Sequence, residues 1–198
     1  MDILAHGLWS NIAYECAIRA MGRKSSKKER WLVVFFGVFP DIFAFAVPFI
    51  TSIFGDGTLG AYAKIRLEDQ WRRGIFQHRQ MGIMDNADLS LVPSYVFDLY
   101  SVSHSLLIFV AIFLTVWVFH KKPYWVMGGW GLHVVTDIVS HNDRFFPTPL
   151  LYPVSDFHVS GISWADPRFM AVNYTLLIAV NIMLFGGSRN KITPNNSA

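Results

Sequence analysis

Cysteine is nearly absent: Cys16 is the only one. That excludes an internal disulfide and any zinc site built on thiolates, so a metal here must be held by His, Asp or Glu. Charge is scarce too. Only 16% of the 198 residues are charged, against 53% hydrophobic and 16% aromatic, a balance expected of an integral membrane protein and not of a soluble domain. The formal charge of +3 comes mostly from short basic clusters, which bear on membrane orientation, and no nucleic-acid motif is present. The amino-terminal segment lacks the basic start and small-residue cleavage site of a signal peptide. Repeats and low complexity are also missing.

Long apolar runs fill the space that charge leaves. Residues 31–54 and 102–119 are nearly free of charge and long enough to span a bilayer. Residues 124–141 and 167–186 are similar in length but carry His133, Asp137, Asn173 and Asn181, which are expected to face a bundle interior. Residues 3–21, with His6, Asn11, Glu15 and Arg19, form the most polar of five expected transmembrane helices. The expected fold is therefore an all-α polytopic bundle: residues 1–186 as one membrane-embedded domain with an outer loop region at 55–100, and 187–198 as a short flexible tail. Nine Lys and Arg fall in the 26 positions of 22–30, 120–123 and 186–198, against six in the 71 positions of 55–100 and 142–166. The first set is expected in the cytoplasm and the amino terminus outside.

The segment GLHVVTDIVSH, residues 131–141, spaces His133, Asp137 and His141 four apart. On a helix each such step advances about 6 Å and turns about 40°, so all three share one face. Ionisable groups within a membrane are costly unless a partner offsets their desolvation, and imidazole and carboxylate together suit a metal ion. The bland alternative is a His and Asp pair that stabilises helix contacts. Asp41 follows Pro40, whose kink can present the carboxylate either to an ion or to polar neighbours. His104 can be a ligand drawn from a facing helix or a polar residue at a helix start capped by Ser103. His6 has Asp2 four residues earlier, a carboxylate that can orient its ring or cap the helix. Glu15 lies about 180° round the helix from His6 and is expected to pair with Arg19. His120 reads as an interfacial anchor. His158, Asp143, Arg144 and Asp166 read as outer-loop polars, and Trp125, Trp130 and Trp164 as interface or core aromatics.

Taken together, MDILAHGLW at the start, FPDIF at 39–43, SHSL at 103–106, GLHVVTDIVSH and PTPLLYPVSDFHVSGISW at 147–164 resemble the YdjM-like inner-membrane metal-dependent hydrolases. That family is also described as LexA-binding and is thought to be related to zinc-dependent phospholipases C. The resemblance runs over most of the chain. It implies a bacterial inner-membrane helical bundle in which His6, Asp41, His104, His133, Asp137 and His141 bind one or two divalent ions, with zinc expected. The family pattern HRxxTHS has a further His where this chain has Leu99. His78 and Arg79 are the outer-loop residues able to take that place.

Zinc activates water and polarises phosphoryl or carbonyl oxygens, so hydrolysis at neutral pH is the expected chemistry, and two ions bridged by Asp41 or Asp137 would suit a phosphoester. A pocket within the outer half of the bilayer would admit a lipid or lipid-linked phosphate, and membrane lipids are the expected partners. Two other classes compete. A metal-ion or proton transporter needs polar groups across the full thickness, whereas the inner halves of the second and third helices are apolar. A non-catalytic scaffold with one structural metal needs a closed coordination shell.

Overall fold

Backbone capping sets where the helices begin and end. A computed structural model of the chain describes residues 1–54 and 92–186, all-helical apart from turns and loops, with no strand among the described residues. Helix α1, Ile3–Ala20, starts at Asp2, whose carboxylate accepts from the Ala5 N–H at 3.0 Å. It ends where Gly22 turns left-handed at φ 68° and the Arg23 N–H reaches back to the Ile18 carbonyl at 3.0 Å. Four residues on, Ser26 and Glu29 form a reciprocal capping box: Glu29 N–H donates to Ser26 Oγ at 3.1 Å and Ser26 N–H to Glu29 Oε2 at 2.6 Å. That opens α2, Lys27–Phe54, the long helix on which α1 and two of the later helices pack.

After the undescribed segment come α3, Ser94–Ser103, and α4, Leu106–His120, bent 54° from one another at a break. Ser105 makes the break: its Oγ accepts from Ile108 N–H at 3.3 Å and donates to the Tyr152 carbonyl at 2.8 Å. His104 sits at this joint. A short 3-10 turn, Trp125–Met127, leads into α5, Gly128–Ser140, and α6, Pro167–Phe185, packs on α1. Between α1 and α6, Trp9 Nε1 donates to Asn173 Oδ1 at 2.8 Å and Tyr174 donates to Asp2 at 2.8 Å. Asp166 caps α6, and its hydrogen bond to Arg168 holds its carboxyl below the usual carboxylate range.

The loop from 141 to 166 folds back over the end of α5. Gly161 N–H donates to His141 O at 2.7 Å, Ile162 N–H to Val139 O at 3.0 Å and Trp164 N–H to Ser140 O at 2.8 Å, which satisfies carbonyls that a helix end leaves unpaired.

Two stretches, Lys27–Pro48 and Pro167–Phe185, are long and apolar enough to cross a membrane, and the bent α3–α4 pair makes a third if counted as one span. Of the five expected spans, the one at 124–141 is instead a 3-10 turn followed by 13 helical residues. At about 1.5 Å per residue α5 is roughly 20 Å long, short of a hydrocarbon core of about 30 Å. Part of the expected outer loop, 94–100, is helical. Residues 55–91, with His78 and Arg79, and the tail 187–198 lie outside the described residues.

Close approach of α5 to α2 depends on Gly129, where a Cβ would overlap the Val33 carbonyl and stand 3.0 Å from the Gly37 nitrogen. Its neighbour Gly128 faces open space, with nothing within 4 Å of an added Cβ. Thermal unfolding in detergent is therefore expected to show Gly129→Ala destabilised by about 1–3 kcal/mol through overpacking. Gly128→Ala is expected to stay within about 0.5 kcal/mol of the parent.

Candidate metal centre

Three separate backbone features deliver four ligand atoms to one point. Asp41 follows Pro40 within α2, His104 occupies the break between α3 and α4, and His133 and Asp137 stand one turn apart on α5. One ligand atom from each lies within 4.8 Å of the other three, and all four residues are buried. This group can hold a metal ion.

Proton positions sharpen that statement. His133 Nδ1 lies 2.6 Å from the Gly37 carbonyl, and His104 Nδ1 lies 3.1 Å from the Tyr100 carbonyl. Carbonyl oxygens only accept, so each ring donates from Nδ1 and keeps its lone pair on Nε2. Those two Nε2 atoms face each other at 3.1 Å. The carboxylates add further lone pairs: Asp137 Oδ2 is 3.2 Å from His133 Nε2 and 3.5 Å from His104 Nε2, and Asp41 Oδ1 is 3.7 and 3.5 Å from the same nitrogens. Asp41 Oδ2 and Asp137 Oδ2 are buried with no hydrogen bond among the described residues. Orphaned buried carboxylate oxygens are costly, and facing lone pairs repel. A cation at the common point removes the repulsion and gives Asp137 Oδ2 a partner.

The donor set fits a divalent first-row ion. Tetrahedral bonds of about 2.0–2.1 Å place ligand atoms roughly 3.3–3.4 Å apart, and the five separations above, 3.1 to 3.7 Å, bracket that value. Two imidazoles argue against calcium and magnesium, which take oxygen ligands.

The two other expected ligands flank this group. His6 stacks on His133 with ring centroids 3.6 Å apart, and its Nε2 is 2.9 Å from Asp137 Oδ1 and 3.1 Å from the Met1 carbonyl. It therefore approaches the Asp137 oxygen that faces away from the four-atom group. The Met1 amino group also contacts Asp137 Oδ1, and Ser140 Oγ at 3.1 Å. His141 Nδ1 is 3.7 Å from Asp137 Oδ2 and 3.0 Å from the Tyr100 hydroxyl. Because that hydroxyl donates to the Phe146 carbonyl at 2.9 Å, it accepts from His141 Nδ1 and leaves the ring's Nε2 lone pair free. All six expected residues are thus brought together, four around a common point and two beside it.

Beside the group lies a cavity of about 480 Å³ lined by Asp41, Tyr100 and His141 and walled by Phe45, Phe146 and Trp164. It is within the usual range of ligand pockets, apolar with a few convergent polar groups.

Asp2 caps α1 and takes the Tyr174 hydroxyl, so it is a helix cap and does not orient His6. Ser103 closes α3, with its Oγ on the Pro40 carbonyl at 3.2 Å, and the cap of α4 is Ser105. Glu15 pairs with Arg19 at 3.6 Å, joined by Ser25 and by Arg30 at 3.9 Å. His158 pairs with Asp143 at 3.3 Å on the loop surface. Sequence reasoning missed Tyr100 and Gly37. Tyr100 lies one turn before His104 and was discoverable from that spacing, whereas the Gly37 carbonyl carries no side-chain signal.

Comparison with family models, with curated proteins and with solved structures finds no match to this chain.

Elemental analysis of detergent-purified protein is expected to find a divalent metal in the parent. His133→Ala and Asp137→Ala are expected to lose at least about tenfold in metal affinity, with helical circular dichroism retained.

Proposed function

We propose that this chain is an integral protein of a bacterial inner membrane and a metal-dependent hydrolase of the YdjM-like kind. In this reading five segments are embedded, the short α5 among them without crossing the full core, the amino terminus is outside, zinc is the resident ion, and the substrate is a phosphoester on a lipid or lipid-linked molecule. The observation that carries it is the four-atom cluster of Asp41, His104, His133 and Asp137 beside a cavity that shares Asp41. Membrane residence and orientation rest on the apolar helices and on the clustering of Lys and Arg.

A bound divalent ion of this kind supplies Lewis-acid activation of water and of a phosphoryl oxygen. The protein's own groups do the rest. The Gly37 and Tyr100 carbonyls fix the tautomers of His133 and His104 so that their Nε2 lone pairs point inward. Tyr100 holds His141 at Nδ1, which leaves Nε2 to take or give a proton at the cavity wall or to join a second ion with His6. Phe45, Phe146 and Trp164 exclude water around the reacting group and accept an acyl or prenyl chain.

One observation favours a second reading. Four protein ligands are enough to close a tetrahedral shell, as in structural sites, and a scaffold with one structural metal would have that arrangement. The cavity at Asp41 supports the hydrolase reading, because a closed structural site has no use for an access route. Metal analysis and turnover decide together. The hydrolase reading expects metal-loaded protein in bilayers to release headgroup or phosphate from lipid phosphoesters, with activity abolished by chelation and lowered at least about a hundredfold in Asp41→Asn. One tightly held equivalent with no turnover on any lipid phosphoester would establish the scaffold instead. Two equivalents would bring His6 and His141 into the ligand set.

A further inference from the structure

The other end of the bundle carries two further cavities that the metal chemistry does not use. Where α1 ends and α2 begins, a cavity of about 330 Å³ is lined by Arg23, Lys28, Glu29, Tyr14, Tyr124 and Trp125. A second cavity of about 420 Å³ runs on between α1 and α5, bordered by Ala13, Ala17, Gly128, Leu132 and Val135. Tyr14 and Trp125 line both, so the two form one groove with a cationic head and an apolar body.

The groove exists because small residues face each other across it. Gly128 is the informative one. Its backbone is ordinary right-handed helix at φ −56° and ψ −22°, and nothing lies within 4 Å of where its Cβ would be. Neither backbone strain nor packing demands glycine there, and any larger side chain would enter the groove. Ala13, Ala17, Gly128 and Val135 are exposed, so the groove opens on the outside of the bundle. In a chain embedded in a bilayer such an opening is filled by hydrocarbon.

Charge selects the headgroup. Arg23 pairs with Glu29 at 3.4 Å, and Glu29 also takes the Tyr14 hydroxyl at 3.2 Å. Lys28 has no ion-pair partner among the described residues and leaves the cavity with one net positive charge. Lys24 and Lys27 are exposed nearby and add to the positive field. Amphipathic tyrosine and tryptophan side chains at the junction match the headgroup level of a bilayer.

We propose that this groove binds an anionic phospholipid of the surrounding bilayer, with its phosphate at Lys28 and Arg23 and one acyl chain lying along Gly128 between α1 and α5. The site is independent of the hydrolase reading, since it needs membrane embedding and not turnover.

The test uses full-length protein in lipid nanodiscs with chain-brominated phosphatidylglycerol or chain-brominated phosphatidylcholine as the quencher. The Trp125 signal is taken as the difference between parent and Trp125→Phe. One net cationic contact corresponds to a preference of about fivefold, so phosphatidylglycerol is expected to quench Trp125 at about one-fifth the mole fraction that phosphatidylcholine requires. The preference is expected to vanish in Arg23→Gln/Lys28→Gln. Quenching by either lipid is expected to fall in Gly128→Leu, while metal content stays at the parent level and reports an intact bundle. Equal quenching by the two lipids, or a preference that survives the double substitution, would overturn the proposal. So would full displacement by water-soluble glycerol phosphate, which would mark a headgroup site with no chain.

Discussion

Two carboxylates and two imidazoles buried around one point are the constraint from which the rest of this structure follows. Removing a carboxylate from water costs several kcal/mol even after relaxation (about that order), and Asp41 and Asp137 are 7% and 0% exposed. Neither faces a Lys or Arg in an ion pair among the described residues. What surrounds them is a set of groups that hold lone pairs in place. The Gly37 carbonyl aligns His133 and the Tyr100 carbonyl aligns His104. Trp130 Nε1 donates to the Ser103 carbonyl at 2.7 Å and fixes the joint that carries His104. An apolar core could be repacked at modest cost, but this centre requires its backbone to be where it is.

That requirement explains features that are otherwise local curiosities. Gly129 and Gly37 let α5, α2 and α1 approach at backbone distance, which brings His133 within reach of a carbonyl on another helix. Pro40 supplies no N–H, so the α2 ladder is one bond short beside Asp41, and the Pro40 carbonyl takes the Ser103 hydroxyl. The break after Ser103 turns His104 inward where a continuous helix would have run past the site. The loop over 141–166 then ties off the end of α5 and places Trp164 on the cavity wall.

Residue type and spacing carried much of this into view before any coordinates. The i, i+4 pattern of His133 and Asp137 needs only helical geometry to be read, and the scarcity of ionisable groups elsewhere makes Asp41, His104 and His6 conspicuous in apolar runs. Side chains announce ligands in that way. Backbone events do so less: Ser103 and Ser105 are both cap-forming residues, and the choice of Ser105 for α4 goes with its long-range bond to the Tyr152 carbonyl, while the fourth expected span is shortened by the Trp125–Met127 turn. A hydropathy window adds the 3-10 turn to the helix behind it and counts both as one span.

Asp137 shows why the flanking histidines matter even though four atoms make the group. Oδ2 faces His104 and His133, while Oδ1 is taken by His6 and the Met1 amino group. A carboxylate divided this way cannot rotate toward either side without abandoning contacts on the other. The hydrogen-bonding side supplies the restoring force that holds Oδ2 on the ligand side. His141 stands in the corresponding place between Asp137 and Tyr100, at the border of the cavity. The rigid part of the centre therefore lies on α5 and toward α1, and the cavity reaches the cluster at Asp41, Tyr100, His141 and Met1. Of the four residues around the common point Asp41 is the one that borders this cavity, so exchange at the centre is expected from its side.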